Sequence, residues 1–192
     1  PQFGSTATVV REGIGGLKGK ALQRGDSLPA QVTMSSRHAK LLEQDIPGYS
    51  RNIRLRTLLG YQHRDFSREQ KRVLFSSEFT VSKQWDRMGY RLQGQQNGKE
   101  LVHGQTDLLS EAIALGAIQI PPDGQPIVML NDRQTLGGYP KIGAVLSLDC
   151  GQLGQCGEGA RVCFEPITRG RAQRLLAWHK ARVARVKPVY FD

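Results

Sequence analysis

Apolar and polar residues alternate over several short stretches of the chain. In residues 51–60, RNIRLRTLLG, Ile53 and Leu55 fall on one side of an extended chain and Arg54 and Arg56 on the other, a pattern typical of a half-buried strand. Further strands are predicted, bounded by turn residues, in EFTVSKQWDRMGYRLQG (two strands and a turn), AIALGAIQI, IVML, KIGAVLSL and ARVCFEPI. These short, evenly spread strands predict a mainly β fold.

Two segments have the periodicity of a helix. Residues 67–77, SREQKRVLFSS, follow two possible N-cap residues, Asp65 and Ser67, and acidic or amide side chains in a first turn favour helix initiation there. Between Thr168 and about Val186, apolar residues recur at spacings of three and four, which predicts an amphipathic helix with basic residues on its other face: Ala172, Leu175, Leu176, His179, Val183 and Val186.

Composition agrees with short strands joined by tight turns. The chain has 22 glycines and only 7% aromatic residues, which favours turns over long packed helices. The segment GIGGLKGKALQRGD is similar to a phosphate-binding loop, but Ile14 stands where the first glycine of that motif belongs and Ala21 where the hydroxyl residue belongs. We therefore interpret these glycines as turn residues.

The net charge of +10 is concentrated near the end of the chain, where residues 166–192 hold seven basic side chains and one acidic one. Only Trp178 is an aromatic residue among the arginines of this tail, so we expect no nucleic-acid binding. The first ten residues contain neither a signal peptide nor a membrane span. We expect a cytoplasmic protein without membrane contact, cut from a longer chain, with three reduced cysteines and no metal site.

Two polar runs are candidates for binding chemistry. Residues 86–92, DRMGYRL, place Arg87 and Arg91 around a glycine, and residues 131–135, NDRQT, precede a Gly-Gly-Tyr sequence. Arginine binds carboxylate or phosphate through paired hydrogen bonds, and glycine lets the backbone approach a ligand. The alternative is an internal arginine–aspartate network that ties hairpins together.

Three segments resemble one protein family. DRMGYRLQG, SEAIALGAIQIPPDGQPIVMLNDRQTLGGYPKIGAVLSLD and GARVCFEPI are similar to the biotin-dependent carboxyltransferase family, also called the allophanate hydrolase subunit 2 family. Its relatives include the C subunit of 5-oxoprolinase, KipA and the carboxyltransferase part of urea amidolyase. GGLKGKALQRGDSLP resembles the middle section of the family, so the match extends to about Ile167 and corresponds to the carboxyl-terminal portion of the family.

The resemblance implies a fold of cyclophilin-like β-barrels with short helices and a basic amphipathic carboxyl-terminal helix. Residues 1–32 would end a first cyclophilin-like half, and residues 33–52 would connect it to a second barrel formed by residues 53–167. Residues 168–192 would form the carboxyl-terminal helix and tail.

The resemblance also implies a cleft for a small anionic substrate. Asp132, Arg133 and Lys141 are expected to be catalytic. Two strands would place Asp132, Arg133, Gln134 and Thr135 on the cleft wall, and a turn at Gly137 and Gly138 would bring Tyr139 and Lys141 to the same edge. Arg87 and Arg91 would face the anionic group, and Gln119 would orient an amide or imide through hydrogen bonds.

The first function that the resemblance implies is an ATP-dependent 5-oxoprolinase, which opens 5-oxoproline to glutamate. This chain would work with a Kip-inhibitor-like protein, the B subunit of 5-oxoprolinase, and with a third protein, the A subunit; the complex, not a motif in this chain, would use ATP. The second is carboxyl transfer to urea or a related amide; because the chain has no Ala-Met-Lys-Met sequence, biotin would come from another chain or domain. The third is a non-catalytic, KipA-like regulator that binds a kinase inhibitor.

Overall fold

The computed structural model describes residues 2–29, 38–94, 101 and 108–191, and within them the chain is mainly β. The strands are β1 (Thr8–Val9), β2 (Ile14–Gly15), β3 (His38–Lys40), β4 (Asn52–Leu59), β5 (Glu78–Trp85), β6 (Gly89–Gly94), β7 (Glu111–Ala112), β8 (Ala117–Gln119), β9 (Ile127–Met129), β10 (Leu136–Gly137), β11 (Lys141–Val145), β12 (Arg161–Pro166) and β13 (Val189–Phe191). The α-helices are α1 (Arg68–Ser76), α2 (Ser147–Leu153) and α3 (Arg169–Val183), and short 3-10 helices span Val10–Glu12, Glu43–Asp45 and Tyr61–Asp65.

The chain divides into two compact units. The larger is Leu41–Pro188, and the smaller takes in the chain up to Lys40 together with its end from Val189. In the smaller unit β1 pairs with β2 and β3 pairs with β13, both antiparallel. The boundary after Lys40 lies within the predicted connection 33–52, of which residues 33–37 are outside the described residues. The assignment of residues 1–32 to a first cyclophilin-like half stays a prediction.

A closed barrel of seven strands forms the larger unit, in the order β11, β4, β12, β5, β6, β9, β8 and back to β11. Only the pair of β12 and β4 is parallel within it. The alternation in β4 is as predicted, since Ile53, Leu55 and Thr57 are buried, and Phe164 of β12 contacts Phe79 of β5 edge-to-face at 5.5 Å between ring centroids. The mainly β, cyclophilin-like barrel that the resemblance implies is confirmed.

Helix α1 begins at a capping box, which identifies which of the two predicted N-cap residues caps the helix. The Ser67 hydroxyl accepts from the backbone N–H of Gln70 at 3.1 Å, and the Gln70 side chain accepts from the backbone N–H of Ser67 at 2.7 Å. These reciprocal bonds satisfy two backbone donors that the first helical turn leaves free. Ser67, and not Asp65, is therefore the N-cap.

Helix α3 confirms the predicted carboxyl-terminal helix, and Thr168 caps it by accepting from the backbone N–H of Arg171. Its apolar stripe is less buried than the pattern predicts. Ala172 is buried and Leu175 half-buried, whereas Leu176 and Val183 are 38% and 54% exposed. The amphipathic packing thus holds for the first turns and not for the second half of the helix.

The predicted strand AIALGAIQI is wrong as one strand, because the chain turns within it. Gly116 has a φ of +79°, and a Cβ at this position would lie 2.4 Å from the carbonyl oxygen of Val145, so only glycine fits without strain. Strand β7 before this turn pairs with β10, whereas β8 after it enters the barrel. Glu111 and Gln119 therefore lie on different strands, and the chain changes direction between them.

Candidate functional site

A groove in the larger unit collects several of the residues predicted to bind substrate. Two cavities, of about 430 Å³ and about 370 Å³, share Gln119, Gln134 and Tyr139 as lining residues. Gly137 and Gly138 line the first cavity, and Arg91 lines the second. We call these two cavities together the Gln119 groove, and six of the eight residues predicted to bind substrate line it.

Gln119 is the most unusual polar residue of this groove. It lies on β8 with 1% of its surface exposed, and its side-chain nitrogen Nε2 has no hydrogen-bond partner in the described protein. A buried amide without a partner costs about 1–3 kcal/mol. Such a group at the wall of a cavity is able to donate to a ligand oxygen that enters it.

Gly137 lies close to the Gln119 amide. A Cβ at Gly137 would lie 3.0 Å from Gln119 Nε2 and 2.6 Å from Ile113 Cδ1, distances that force neighbouring atoms to move. The predicted turn at Gly137 and Gly138 is wrong, because Gly137 belongs to β10 and pairs with Glu111 of β7. The glycine is required by this close approach.

Lys141 is buried beside the groove and makes contacts that the sequence did not predict. Its Nζ lies 3.1 Å from Glu111 Oε2, and its side chain is 9% exposed. The same Glu111 oxygen accepts from Gln62 Nε2 at 3.0 Å and from the Tyr61 hydroxyl. In the barrel, Lys141 is the cross-strand neighbour of Gln119, so the two side chains belong to the same region of the sheet.

The ionisation of this cluster follows from its hydrogen bonds. The hydrogen bond from Tyr61 and then that from Lys141 lower the pKa of Glu111, because donors stabilise the carboxylate. The pKa of Tyr61 is raised, mainly by its hydrogen bond to Glu111. At neutral pH the cluster therefore holds an ionised carboxylate and a protonated phenol beside Lys141.

Arg91 lies at the rim of the groove as part of an ion pair. It follows Tyr90 on β6, and its Nη2 contacts the carboxylate of Asp123. Its side chain is 29% exposed. A guanidinium carries five N–H donors, so this pairing leaves donors for an anionic ligand in the groove.

Arg87 and Asp132 lie apart from the Gln119 groove and pair with each other. Arg87 Nε is 2.8 Å from Asp132 Oδ2, and their side chains are 81% and 48% exposed. The backbone N–H of Asp132 also donates to the carbonyl of Arg87 at 3.0 Å. This is the hairpin-tying arginine–aspartate contact that the alternative interpretation describes, and the catalytic role of Asp132 and the binding role of Arg87 stay predictions.

Arg133 hydrogen-bonds to backbone carbonyls. Its Nε donates to the carbonyl of Ile113 at 2.9 Å and its Nη1 to the carbonyl of Leu130 at 3.1 Å. The carbonyl of Thr135 accepts from the backbone N–H of Ile113 at 2.9 Å. The segment Asp132–Thr135 is a turn and irregular chain between β9 and β10. The catalytic role of Arg133 and the binding role of Thr135 stay predictions.

Sequence reasoning missed Glu111, Gln62 and Tyr61. Tyr61 and Glu111 are 50 residues apart, and Gln62 also accepts from the backbone N–H of Lys141, 79 positions away, at 2.7 Å. No local spacing links such residues. The one available signal is a carboxylate directly before the apolar stretch AIALGAIQI.

Two further observations concern metal binding and membrane crossing. The described ranges contain no group of three or more His, Cys, Asp or Glu side chains that could hold a metal ion. Within the same ranges, none of the helices has the length and apolar character needed to cross a bilayer.

The glycine segment near residue 15 does not fit the phosphates of ATP. Gly13, Gly15, Gly16 and Gly19 all have positive φ and form turns. In the described residues 20–29 that follow them there is no α-helix. A phosphate-binding loop needs the N-terminus of a helix at this point, since its backbone N–H groups hold the anion.

Two curated relatives are similar in sequence to most of this chain. The chain is 37% identical over 171 residues to the C subunit of the 5-oxoprolinase of Haemophilus influenzae, covering 89% of this chain and 53% of that protein. It is 38% identical over 167 residues to the corresponding C subunit of Escherichia coli, covering 85% of this chain and 51% of that protein. The chain thus spans about half the length of the curated relatives it matches.

A solved structure shares the fold. The urea amidolyase of Kluyveromyces lactis superposes with a TM-score of 0.75 at 23% identity, over 92% of this chain and 12% of that one. The family model described as carboxyltransferase domain, subdomain A and B, matches residues 1–166. The chain therefore belongs to the carboxyltransferase domain family.

Proposed function

We propose that this chain is a component of an ATP-dependent 5-oxoprolinase, which opens 5-oxoproline to glutamate. The two relatives at 37% and 38% identity both carry the name of the C subunit of 5-oxoprolinase, which supports this assignment. Because the chain spans about half of those relatives and its glycine segment does not fit ATP phosphates, the proposal places ATP use in partner subunits of the A and B types.

The chemistry of the substrate fits the Gln119 groove. 5-Oxoproline is a five-membered cyclic amide that carries a carboxylate. Its hydrolysis adds the hydroxyl of water to the ring carbonyl carbon, breaks the carbon–nitrogen bond and delivers a proton to the nitrogen. Negative charge develops on the carbonyl oxygen during this addition, and a fixed donor stabilises it.

The observation that carries the proposal is the buried, unpartnered Nε2 of Gln119 at the groove wall. In the proposal this amide donates to the ring carbonyl oxygen, and Arg91 binds the carboxylate of the substrate through the donors that Asp123 leaves free. Lys141 adds positive charge next to Gln119, its cross-strand neighbour. Together these groups recognise a small molecule that is both an amide and an anion.

The test is ATP-dependent release of glutamate from 5-oxoproline by the full-length protein together with its neighbouring-gene products. We expect release that stops when this chain is omitted. Replacing Gln119 by Met, which keeps the volume and removes the donor, should lower kcat/KM by roughly 10–100-fold, the cost of one hydrogen bond to a charged oxygen. Loss of the Nε2 donor should not lower thermal stability, since this nitrogen has no hydrogen-bond partner among the described residues.

Gln125→Met is the matched control. Gln125 is also buried, but its side-chain oxygen accepts from the backbone N–H of Gly94 at 2.9 Å. Its replacement should lower stability by about 1 kcal/mol and leave kcat/KM unchanged. Glutamate release that is insensitive to Gln119→Met would contradict the proposed carbonyl site, and a folded complex without any release would contradict the proposed reaction.

Carboxyl transfer to urea is the second candidate. The likeness to the fold of urea amidolyase and the description of the family model favour it. Urea has an amide-like carbonyl but no carboxylate, so this reaction would use Gln119 and not Arg91. Loss of carboxyl groups from a carboxylated biotin carrier on addition of urea, with Arg91→Ala as active as the unmodified protein, would favour this candidate over the first.

A further inference from the structure

The ammonium group of Lys141 is held by one carboxylate in a largely buried setting. Its side chain is 9% exposed and its Nζ lies 3.1 Å from Glu111 Oε2. A buried charge is tolerated when it is paired and hydrogen-bonded. Glu111 therefore fixes the direction of the Lys141 side chain.

Glu111 is itself fixed from a second side by the 3-10 helix Tyr61–Asp65. Its Oε2 accepts from the Tyr61 hydroxyl and from Gln62 Nε2, the latter at 3.0 Å. Gln62 also accepts from the backbone N–H of Lys141 at 2.7 Å, so one amide side chain contacts both members of the ion pair. The backbone N–H of Gly60 donates to the carbonyl of Ile142 at 3.0 Å and anchors this segment on β11.

The cluster adjoins the Gln119 groove through two strand pairings. Glu111 is the cross-strand partner of Gly137, which lies close to the Gln119 amide, and Lys141 is the partner of Gln119 itself. The pKa of Glu111 is lowered by Tyr61 and Lys141, so an anion is kept beside Lys141 at neutral pH. Lys141 is 9% exposed, whereas its partner Glu111 is 39% exposed and Tyr61 is 70% exposed. A pair that served stability alone would need neither this position nor a solvent-facing tyrosine.

We propose that Glu111, supported by Tyr61 and Gln62, is a positioning residue that holds the Lys141 ammonium group in place next to Gln119. This inference rests on the proposed function for the part that Lys141 takes in turnover. The pairing of Glu111 with Lys141 is a property of the protein by itself. The two parts are therefore tested by separate measurements.

The first measurement is turnover in the reconstituted complex. Glu111→Gln keeps the shape and removes the charge, and we expect kcat to fall by up to about 100-fold, the effect of misplacing a reacting group, with little change in KM. Glu111→Asp, which retains the charge, should recover part of this loss, and Tyr61→Phe should give a smaller loss. Tyr61→Phe also covers the case in which Glu111→Gln does not fold, because Tyr61 is largely exposed.

Glu69→Gln is the matched control. Glu69 also has a lowered pKa, caused first by its hydrogen bond from Arg72, and the pair lies exposed on α1. Its neutralisation should leave kcat and KM unchanged. A general effect of removing one ion-paired carboxylate would appear in both variants.

The second measurement needs no activity. Trinitrobenzenesulfonate reacts with accessible amines, and peptide mass spectrometry of the folded full-length protein reports the rate at which Lys141 is labelled at one fixed pH. Without the carboxylate the Lys141 amine loses its ion-pair partner, so Glu111→Gln should raise this labelling rate, whereas Glu69→Gln should not. An unchanged labelling rate would overturn the inference.

The outcomes separate this inference from the proposed function. If the unmodified complex releases no glutamate, the proposed function fails. The change in the labelling of Lys141 still decides whether Glu111 holds this side chain in place. If the complex is active and Glu111→Gln turns over as fast as the unmodified protein, the positioning role is overturned while the proposed function stands.

Discussion

Two arginine–aspartate ion pairs in this protein have similar N–O distances, but the carboxylate is buried in one pair and exposed in the other. Arg56 Nε lies 2.9 Å from Asp149 Oδ2, and Arg87 Nε lies 2.8 Å from Asp132 Oδ2. The carboxylate of Asp149 is 1% exposed and also accepts from the backbone N–H of Arg56 at 2.7 Å. Asp132 is 48% exposed and its partner 81%. Solvent screening weakens an exposed pair, so distance alone does not tell which pair the fold needs.

The difference in burial separates structure from candidate function. Asp149 on α2 fixes this helix to β4, and its hydrogen bond is the main cause of the raised pKa of Arg56. Arg87 and Asp132 join two turns at the surface, where a ligand can replace either partner at little cost. The exposed pair is thus free to take part in binding, and the buried pair is not.

The largest expected effect is at Asp149. Asp149→Asn leaves Arg56 without its anion and weakens a buried network, so we expect a loss of about 3 kcal/mol in the free energy of unfolding, measured by urea denaturation. Asp132→Asn is the control and should change it by less than about 0.5 kcal/mol. Equal effects of the two substitutions would show that burial does not distinguish the two pairs.

Replacing Arg133 should destabilise the fold, as replacing a member of the buried pair would, although Arg133 follows the exposed Asp132 in sequence. From the sequence alone, Arg133→Ala is expected to abolish turnover with little loss of stability. Its two hydrogen bonds to the carbonyls of Ile113 and Leu130 instead predict a loss of about 2 kcal/mol. Urea denaturation checks this, with the exposed Arg54→Ala as a control that should be nearly neutral. A neutral Arg133→Ala would show that water replaces both bonds.

Cys150 reports on the surroundings of Asp149. Burial, and next the charge of Asp149, raise the pKa of the Cys150 thiol from 9.0 to about 11. The unfolded chain therefore loses this proton first, and the free energy of unfolding should fall as pH rises from about 9 towards 11. Cys150→Ala should flatten this part of the pH profile. Iodoacetamide labelling of Cys150 at about pH 8 as fast as that of an exposed thiol would contradict the assigned burial.

The smallest expected effect is at Arg87. Arg87→Ala should change the free energy of unfolding by less than about 0.5 kcal/mol, since the pair is exposed and screened. If Arg87 contacts the substrate, the same variant raises KM in the glutamate-release assay. If neither the free energy of unfolding nor KM changes, the hairpin contact with Asp132 is the whole role of Arg87.

The sequence determined the local features of the fold. Alternation in β4, helix α1 and the carboxyl-terminal helix follow from interactions within a few residues, and such signals are readable along the chain. The long specific segments also established the family, which the matching of residues 1–166 confirms. The turn at Gly116 was missed because an apolar stretch does not reveal where the chain reverses direction.

Only the tertiary structure decided how the candidate residues are grouped. The sequence placed Arg87, Asp132, Arg133 and Lys141 in one cleft, whereas the fold pairs Arg87 with Asp132 at the surface and surrounds Lys141 with Glu111 and Gln62. The fold also leaves Gln119 Nε2 buried at a cavity wall, with no hydrogen-bond partner in the part of the chain that the structure describes. The physical reason is that strand register and burial join residues 50 to 79 positions apart, and neither is encoded in the spacing of nearby residues.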